Sequence, residues 1–382
     1  MTATQRCRDL GITLGIFPPG RHNAITDVPG VRVGHCTISE GEGPLVTGKG
    51  PIRTGVTIVE PRPSVWRSPV FAGAHRLNGN GEMTGLSWIR ENGQLTTPIG
   101  LTNTHSVGAV RDAIIAEIHR DRGDDESYFC LPVVAETYDG ILSDINGQHI
   151  RAEHVEAAFR ALSDGPVPEG SVGSGTGMIC HEFNGGIGTA SRLVPNAHSG
   201  AYTLGVLVQA NHGQRRRLRV DGVPIGERIP TEIVSSPYED LRKEMAGSGS
   251  IIVLIATDAP LLPHQCERLA QRGALAIGRT GGIGEHNSGD LLLAFSTGND
   301  TLPGVGLGEL DFEDIPVRMA SDTVVELLFE AVIDATEEAI VNSMLAAATT
   351  VGRDGITAHP LPAEQLRAAV VGARENAEGA AS

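Results

Sequence analysis

Lysine is almost absent from this 382-residue chain, which holds only Lys49 and Lys243 beside many arginines. Mechanisms built on a Ser-Lys pair, a Schiff base or a phosphate-loop lysine therefore have just two possible carriers. Positive charge is scarce altogether. Lys and Arg number 30 against 46 Asp and Glu, for a formal net charge of −16. Phosphate binding through counterion release needs the opposite balance, so nucleic acid is not an expected partner. The chain also lacks long hydrophobic runs. No stretch approaches the ~18 to 20 apolar residues of a membrane span. The start, MTATQRCRDLGITLGIFPPG, has no basic region followed by an apolar core, and the expectation is a cytoplasmic protein with no membrane partner.

Cysteine is sparse and scattered. Cys7, Cys36, Cys130, Cys180 and Cys266 show no C-x-x-C spacing, which fits neither a zinc site nor a disulfide framework. They read as reduced, buried small hydrophobes. The serine elbow G-x-S-x-G does not occur, which argues against an α/β-hydrolase. His181-Glu182 begins like a zinc-protease helix but continues Phe-Asn-Gly, so H-E-x-x-H fails and the pair reads as structural. The stretch from Gly170 to Gly177 is glycine-rich but lacks both G-K-[ST] and G-x-G-x-x-G. It serves either as a backbone-shaping loop or as an anion cradle. The sequence implies no metal site.

What remains is a chain that can build a large core. Hydrophobic residues make up 40%, and the 49 glycines and 22 prolines call for many tight turns or close backbone approaches. β-Branched apolar runs predict strands over Thr54–Glu60, Pro132–Ala135, Thr203–Gln209, Ser250–Thr257 and Leu291–Ser296. The last three are apolar without alternation, as expected of a sheet covered on both faces. Helical periodicity marks Val107–Arg122, Arg151–Ser163, Gln265–Gly273 and a long segment from Ser321 to about Ala347. Pro166–Gly177 reads as a long loop, and the basic run Arg215-Arg216-Arg217-Leu218-Arg219 as a solvated loop or strand face, with anion binding the alternative. The pattern predicts one α/β domain.

The segment from Ala246 to Thr257 differs from the other loops, because small residues lead directly into Ser250 at the head of a buried strand. Gly249 leaves the preceding carbonyl unhindered and the backbone free to strain, so the Ser250 hydroxyl can attack its own peptide bond. An N→O acyl shift followed by hydrolysis then frees an α-amine on Ser250. An unperturbed α-amine titrates at ~7.7 to 8.0, so it is a base beside the hydroxyl it must activate. On local pattern alone, Gly-Ser before a strand reads as a plain turn.

Six longer motifs carry a resemblance. They are GRHNAITDVPGVRVGH (Gly20–His35), NGNGEMTG (Asn78–Gly85), LTNTHSVG (Leu101–Gly108), VVAETYDG (Val133–Gly140), GTGMICHEFNGGIGTASR (Gly175–Arg192) and GSIIVLIATDAPL (Gly249–Leu261). In this order the chain resembles the L-aminopeptidase/D-esterase (DmpA-like) and β-peptidyl aminopeptidase family of self-processing N-terminal-serine peptidases. The resemblance spans nearly the whole chain. It implies a four-layer αββα sandwich similar to N-terminal-nucleophile hydrolases but differing in connectivity, cut at Gly249–Ser250 into an α-chain of residues 1–249 and a β-chain of residues 250–382.

Carried over position by position, Ser250 becomes the nucleophile and Asn211 an oxyanion-hole donor, while Glu136 holds the substrate ammonium and Tyr138 hydrogen-bonds near the reacting centre. Ser288 and Asp290 orient the nucleophile or its amine; some family members have glutamate at the acidic position, and aspartate reaches less far. Read without the resemblance, Asn211 and the Asn-Ser-Gly-Asp turn are also ordinary turn formers, and Glu136 a surface ion-pair partner. The implied activity removes N-terminal L-, D- or β-aminoacyl groups from short peptides, amides or esters. It needs no cofactor, and homo-oligomers, often tetramers, are implied. The alternatives are a self-cleaving acyltransferase of the ornithine acetyltransferase type, whose nucleophile is threonine, and an uncleaved non-catalytic binding protein.

Overall fold

A computed structural model describes residues 5–123, 129–197, 200–239, 241, 249–304 and 314–381. In chain order the first strands are β1 (Arg32–Glu40), β2 (Ile52–Glu60), β3 (Val70–Arg76), β4 (Gln94–Leu95), β5 (Ile99–Asn103) and β6 (Val133–Thr137). They are followed by β7 (Ile179–Cys180), β8 (Phe183–Asn184), β9 (Gly186–Asn196), β10 (Gly200–Asn211), β11 (Ser250–Thr257) and β12 (Leu291–Ser296). The helices used below are α1 (Leu86–Asn92), α2 (Val107–Arg122), α3 (Ala152–Arg160), α4 (Ile225–Arg228), α5 (Pro263–Arg279) and α6 (Asp322–Leu345).

Two sheets form the centre, one ordered β1-β2-β5-β6 and the other β4-β3-β12-β11-β10-β9. Strand β11 shows how the layers arise. Its residues are buried throughout, and successive side chains point to opposite faces. Ile252, Leu254 and Ala256 join Val59, Ile99 and Leu101 between the sheets. Ile251, Val253 and Ile255 pack with Leu269, Ile277, Leu328 and Val332 from α5 and α6. On the far side Val56, Ile58 and Val134 meet Val110, Ile114 and Val155 from α2 and α3. The result is the four-layer αββα sandwich, and each fully buried aliphatic side chain adds ~1.5–3 kcal/mol of transfer free energy.

The strands anticipated from β-branched runs are all present, with β11 and β12 ending where their apolar runs end. Strands β1, β3, β5 and β9 were not anticipated, and each carries a glycine lying against a helix. A Cβ on Gly34 would sit 2.1 Å from the Ala158 carbonyl oxygen of α3, and one on Gly73 2.3 Å from the Glu267 nitrogen of α5. One on Gly100 would meet Val110 of α2 at 2.8 Å, and one on Gly188 would meet the Ala339 oxygen of α6 at 1.9 Å. These glycines let helix and sheet close up, and in the sequence they read as breaks.

Two loop expectations change. The basic run is not simply a solvated face: Arg215 is buried, donating to the carbonyls of His181 (3.1 Å), Glu182 (2.8 Å), Ile229 (3.2 Å) and Val234 (3.0 Å). Its guanidinium also lies 3.4 Å from the Phe183 ring centroid. A charge pattern cannot reveal a cage of backbone carbonyls. The stretch Gly170–Gly177 is packed inside the protein, where the Gly173 and Ser174 amides donate to the hydroxyls of Thr37 (2.7 Å) and Thr57 (3.1 Å).

A buried polar knot ties the N-terminal segment and β9 to α6. Arg192 and Glu338 pair at 2.8 Å with both side chains fully buried. Glu338 also accepts from Asn23 (2.5 Å) and Arg8 (3.1 Å). Removing one member of such a pair strands the other charge, so Glu338→Ala is expected to cost about 3–5 kcal/mol. Urea denaturation of the chain carrying Ser250→Ala, which keeps it in one piece, checks this, and a loss below about 1 kcal/mol would show the pair to be dispensable.

Candidate active site

Strands β10 and β11 run antiparallel and end side by side, with Leu204 opposite Thr257 and Asn211 opposite Ser250. Register alone therefore brings the expected oxyanion donor to the expected nucleophile. The Asn211 side chain is fixed at both ends: its Oδ1 accepts from the Ile179 amide (2.7 Å) and its Nδ2 donates to the Tyr138 carbonyl (3.0 Å). An amide NH2 carries two hydrogens, so one remains for a ligand. Gly249 is pressed onto the same residue, and a Cβ there would lie 1.8 Å from the Asn211 carbonyl oxygen. Only glycine fits before Ser250; residues 246–248 of the small-residue loop lie outside the described residues.

The Ser250 hydroxyl oxygen accepts a hydrogen bond from the Gly289 amide at 3.0 Å. Gly289 lies in the turn that carries Ser288 and Asp290, and that turn is clamped against residues 77–81. The two loops meet glycine to glycine, since a Cβ on Gly289 would stand 2.5 Å from the Gly81 Cα. Backbone bonds from Leu77 to the Asp290 carbonyl (3.0 Å) and from Asn80 to the Ser288 carbonyl (3.1 Å) hold the clamp.

Asp290 is held from several sides. The Ser288 hydroxyl donates to Oδ1 at 2.5 Å and Asn78 Nδ2 donates to Oδ2 at 3.0 Å, while the Asp290 amide donates back to Asn78 Oδ1 at 2.5 Å. The Ile251 amide is a further partner. The shorter aspartate thus does reach Ser288. Burial pushes its pKa up to about 6, against the pull of these donors.

Glu136 stands near the end of β6, paired with Thr102 of β5. Its Oε1 accepts from the Glu82 amide (2.9 Å) and its Oε2 from the Thr104 hydroxyl. It is buried, so it is no surface ion-pair partner, and desolvation raises its pKa above the usual carboxylate range. Two residues on, Tyr138 is partly exposed and folds its ring over Gly140, where a Cβ would lie 2.3 Å from the phenol oxygen. Glu136, Tyr138, Gly249 and Ser250 line one cavity of about 1060 Å³.

The structure brings in residues that the sequence reading passed over. Asn78, Gly81, Thr104 and Asp139 lie in quoted motifs without an assigned role, and the Gly289 amide became visible only through its contact. Asp139 is fully buried, accepts from Asn103 at 3.0 Å and from the Thr54 hydroxyl, and burial lifts its pKa to about 7.

Metal-ligand chemistry gathers elsewhere, behind Asn211. Cys180, His181 and His212 bring ligand-capable atoms within 4.8 Å of one another, all buried. Burial above all keeps both imidazoles neutral, with His181 near pKa 4, and the Arg215 and Arg217 charges push His181 further down. His181 and Glu182 themselves are left-handed turn residues between β7 and β8, which accounts for the failed helix motif.

The chemistry of the cavity is that of a hydroxyl nucleophile set beside amide donors and buried carboxyls, with a carboxylate placed to receive a cation. Residues 23–358 match the family described as Peptidase family S58. The chain is 47% identical over 369 residues to the β-peptidyl aminopeptidase BapA of Sphingosinicella microcystinivorans, covering 95% of this chain and 91% of that protein. Among solved structures, a β-aminopeptidase from Burkholderia sp. superposes with a TM-score of 0.88 at 53% identity, covering 96% of this chain and 98% of the other. The L-aminopeptidase D-Ala-esterase/amidase of Ochrobactrum anthropi gives a TM-score of 0.86 at 42% identity, with coverage of 96% and 98%. That enzyme is described as a prototype of the serine aminopeptidases and a new variant among the Ntn hydrolase fold. With its fold, its cavity and these likenesses in agreement, the chain belongs to peptidase family S58 and is a serine aminopeptidase.

Proposed function

We propose that Ser250 is the nucleophile and that the chain matures by cleavage of Gly249–Ser250 into fragments 1–249 and 250–382. The observation that carries this reading is the pairing of Asn211 with Ser250, with Gly249 packed on the Asn211 carbonyl. The scissile bond is thereby held against an amide donor able to stabilise the anion formed on attack. The fragments stay together, because β11 lies between β10 and β12 in the six-stranded sheet.

In turnover the freed Ser250 amine takes the hydroxyl proton as Oγ attacks the substrate carbonyl. Asn211 Nδ2 stabilises the oxyanion, and the leaving amine departs with the proton. Water, activated by the same amine, then hydrolyses the acyl-enzyme. Glu136 binds the substrate ammonium, which places a free N-terminus one residue from the scissile bond. Tyr138 closes the cavity wall near the reacting carbonyl. Ser288 and Asp290 hold the Gly289 turn against the Ser250 hydroxyl, and the ionised Asp290 stabilises the amine when it is protonated.

The substrates proposed are short peptides, amides and esters. The names of the relatives at 47% and 53% identity favour β-aminoacyl groups among them, and a panel of α-L, α-D and β-aminoacyl anilides ranks the three. Self-association into a homo-oligomer of cleaved protomers, a tetramer as the resemblance implies, is checked by light scattering.

On a denaturing gel the protein is expected as two fragments, and Ser250→Ala as a single 40.1 kDa species; one intact species for both would overturn the maturation step. Asn211→Ala is expected to lower kcat about 10²- to 10³-fold on an aminoacyl p-nitroanilide, and a change below threefold would remove Asn211 from the oxyanion hole. The pH profile tests the acid–base roles. With a pKa raised to about 6, Asp290 is ionised only above that value, and the amine is a base only when neutral. Both make kcat/KM fall as the pH drops from 8 to 5, and Asp290→Asn is expected to remove the limb near 6. A profile flat from pH 5 to 7 in the unmodified enzyme contradicts these roles.

A further inference from the structure

Charge is unevenly placed around the cavity that holds Ser250. Among the described lining residues the anionic side chains are Glu82 and Glu136, and Arg111 is the one cation. Arg111 lies on the first turns of α2 and shares the cavity wall with Val107 and Gly108, as residues four apart on a helix do. The apolar stripe of α2, through Val110, Ile114 and Ile118, packs on the sheet, and Arg111 lies at its edge outside that core.

The bond network leaves the Arg111 guanidinium accessible to a ligand. Its anionic neighbour is Asp112, 3.5 Å away, whose side chain is 80% exposed. Adjacent residues on a helix do not face one another, and an ion pair so open to water is weakly held. By contrast, both carboxylate oxygens of Glu136 are engaged by donors that fix its position.

Distance along the chain sets the spacing of the two charges. The Thr104 hydroxyl binds Glu136, and Arg111 follows through the 3-10 turn Thr104–Ser106 and the start of α2. At ~2.0 Å and ~1.5 Å of rise per residue, that path covers at most about 12 Å. An extended peptide spans at most ~3.3–3.6 Å per residue. Two or three residues, met by the reach of an arginine side chain, bridge it.

We propose that Arg111 forms a carboxylate-binding subsite of this cavity, and that among its substrates the enzyme favours peptides of two or three residues with a free C-terminal carboxylate. Such a substrate is a zwitterion. Its ammonium lies against Glu136, its scissile carbonyl at Ser250, and its carboxylate against the planar fork of Arg111, which can bind it through two parallel hydrogen bonds. In longer peptides the terminal carboxylate lies beyond the cavity and Arg111 meets a neutral backbone, so the subsite selects by length. The inference rests on the aminopeptidase reading and on Glu136 as the ammonium site.

The test compares one dipeptide as its free acid and as its C-terminal amide, both bearing the N-terminal residue preferred in the panel above. The unmodified enzyme is expected to favour the acid by about 10- to 100-fold in kcat/KM, carried mainly by KM, as for loss of a charge-assisted hydrogen-bond pair. In Arg111→Gln the ratio is expected to fall to about 1, and in Arg111→Lys, which keeps the charge without the fork, to stay in between. Each ratio is measured on a single preparation, so any loss of folded enzyme cancels. An acid-to-amide ratio near 1 in the unmodified enzyme, or equal losses on both substrates in Arg111→Gln, overturns the subsite while leaving the aminopeptidase reading intact. Cleavage of neither dipeptide overturns that reading together with the subsite.

Discussion

The pairing of β10 with β11 is the constraint on which the site depends. Side chains alternate across a strand, so a slip of one residue would exchange the inter-sheet set Ile252, Leu254 and Ala256 with the helix-facing set Ile251, Val253 and Ile255. Both sets are fully buried in different cores. The register is therefore fixed by packing along the whole strand, and its last pair is Asn211 opposite Ser250. Polar chemistry at the strand end inherits its geometry from apolar residues further along, an economical route to a site with little freedom of its own.

How far the sequence foretells this fold depends on what lies over each strand. Strand β11 was legible because Ile251, Val253 and Ile255 fill its helix-facing positions, and β12 because both its faces stay apolar through Phe295, giving unbroken apolar runs. Strands β1, β3, β5 and β9 were not, because Gly34, Gly73, Gly100 and Gly188 occupy the positions where α3, α5, α2 and α6 come closest. The same demand for burial thus leaves opposite traces: a side chain where the helix stands off, and none where it touches. Helix α2 was legible end to end, since its apolar stripe ends at a glycine. For α5 the reading began after Pro263, which carries no apolar period, and stopped at Gly273, although Ala276 and Ile277 continue the buried face.

The site divides in a similar way. Ser250, Asn211, Glu136, Tyr138, Ser288 and Asp290 could be named from motif resemblance, and the fold gathers them from four segments far apart in the chain. Local pattern alone left Ser250 a turn residue. What no motif reading supplies is the support: the Asn78 side chain gripping Asp290 at two points, the Thr104 hydroxyl on Glu136, and the glycine contact between residues 81 and 289. The first and last join loops some 200 residues apart and exist only once the sheet has brought β3 beside β12, while Thr104 meets Glu136 through the pairing of β5 with β6. Arg215 is the reverse case, where a basic run suggested solvent and backbone carbonyls of the interior claimed its first residue.

The Arg192–Glu338 pair has a consequence beyond its contribution to stability. Arg192 lies before Ser250 and Glu338 after it, so the buried knot and the six-stranded sheet both straddle the proposed cut. Before cleavage the two halves meet at the effective concentration that one continuous chain imposes; afterwards they are separate molecules held only by contacts. Unfolding of the mature protein then carries an entropy of dissociation that its folding never had to overcome, and refolding becomes a second-order encounter between two incomplete sheets. Cut as proposed, the protein folds as one chain and unfolds as two, and its recovery depends on the concentration of both fragments.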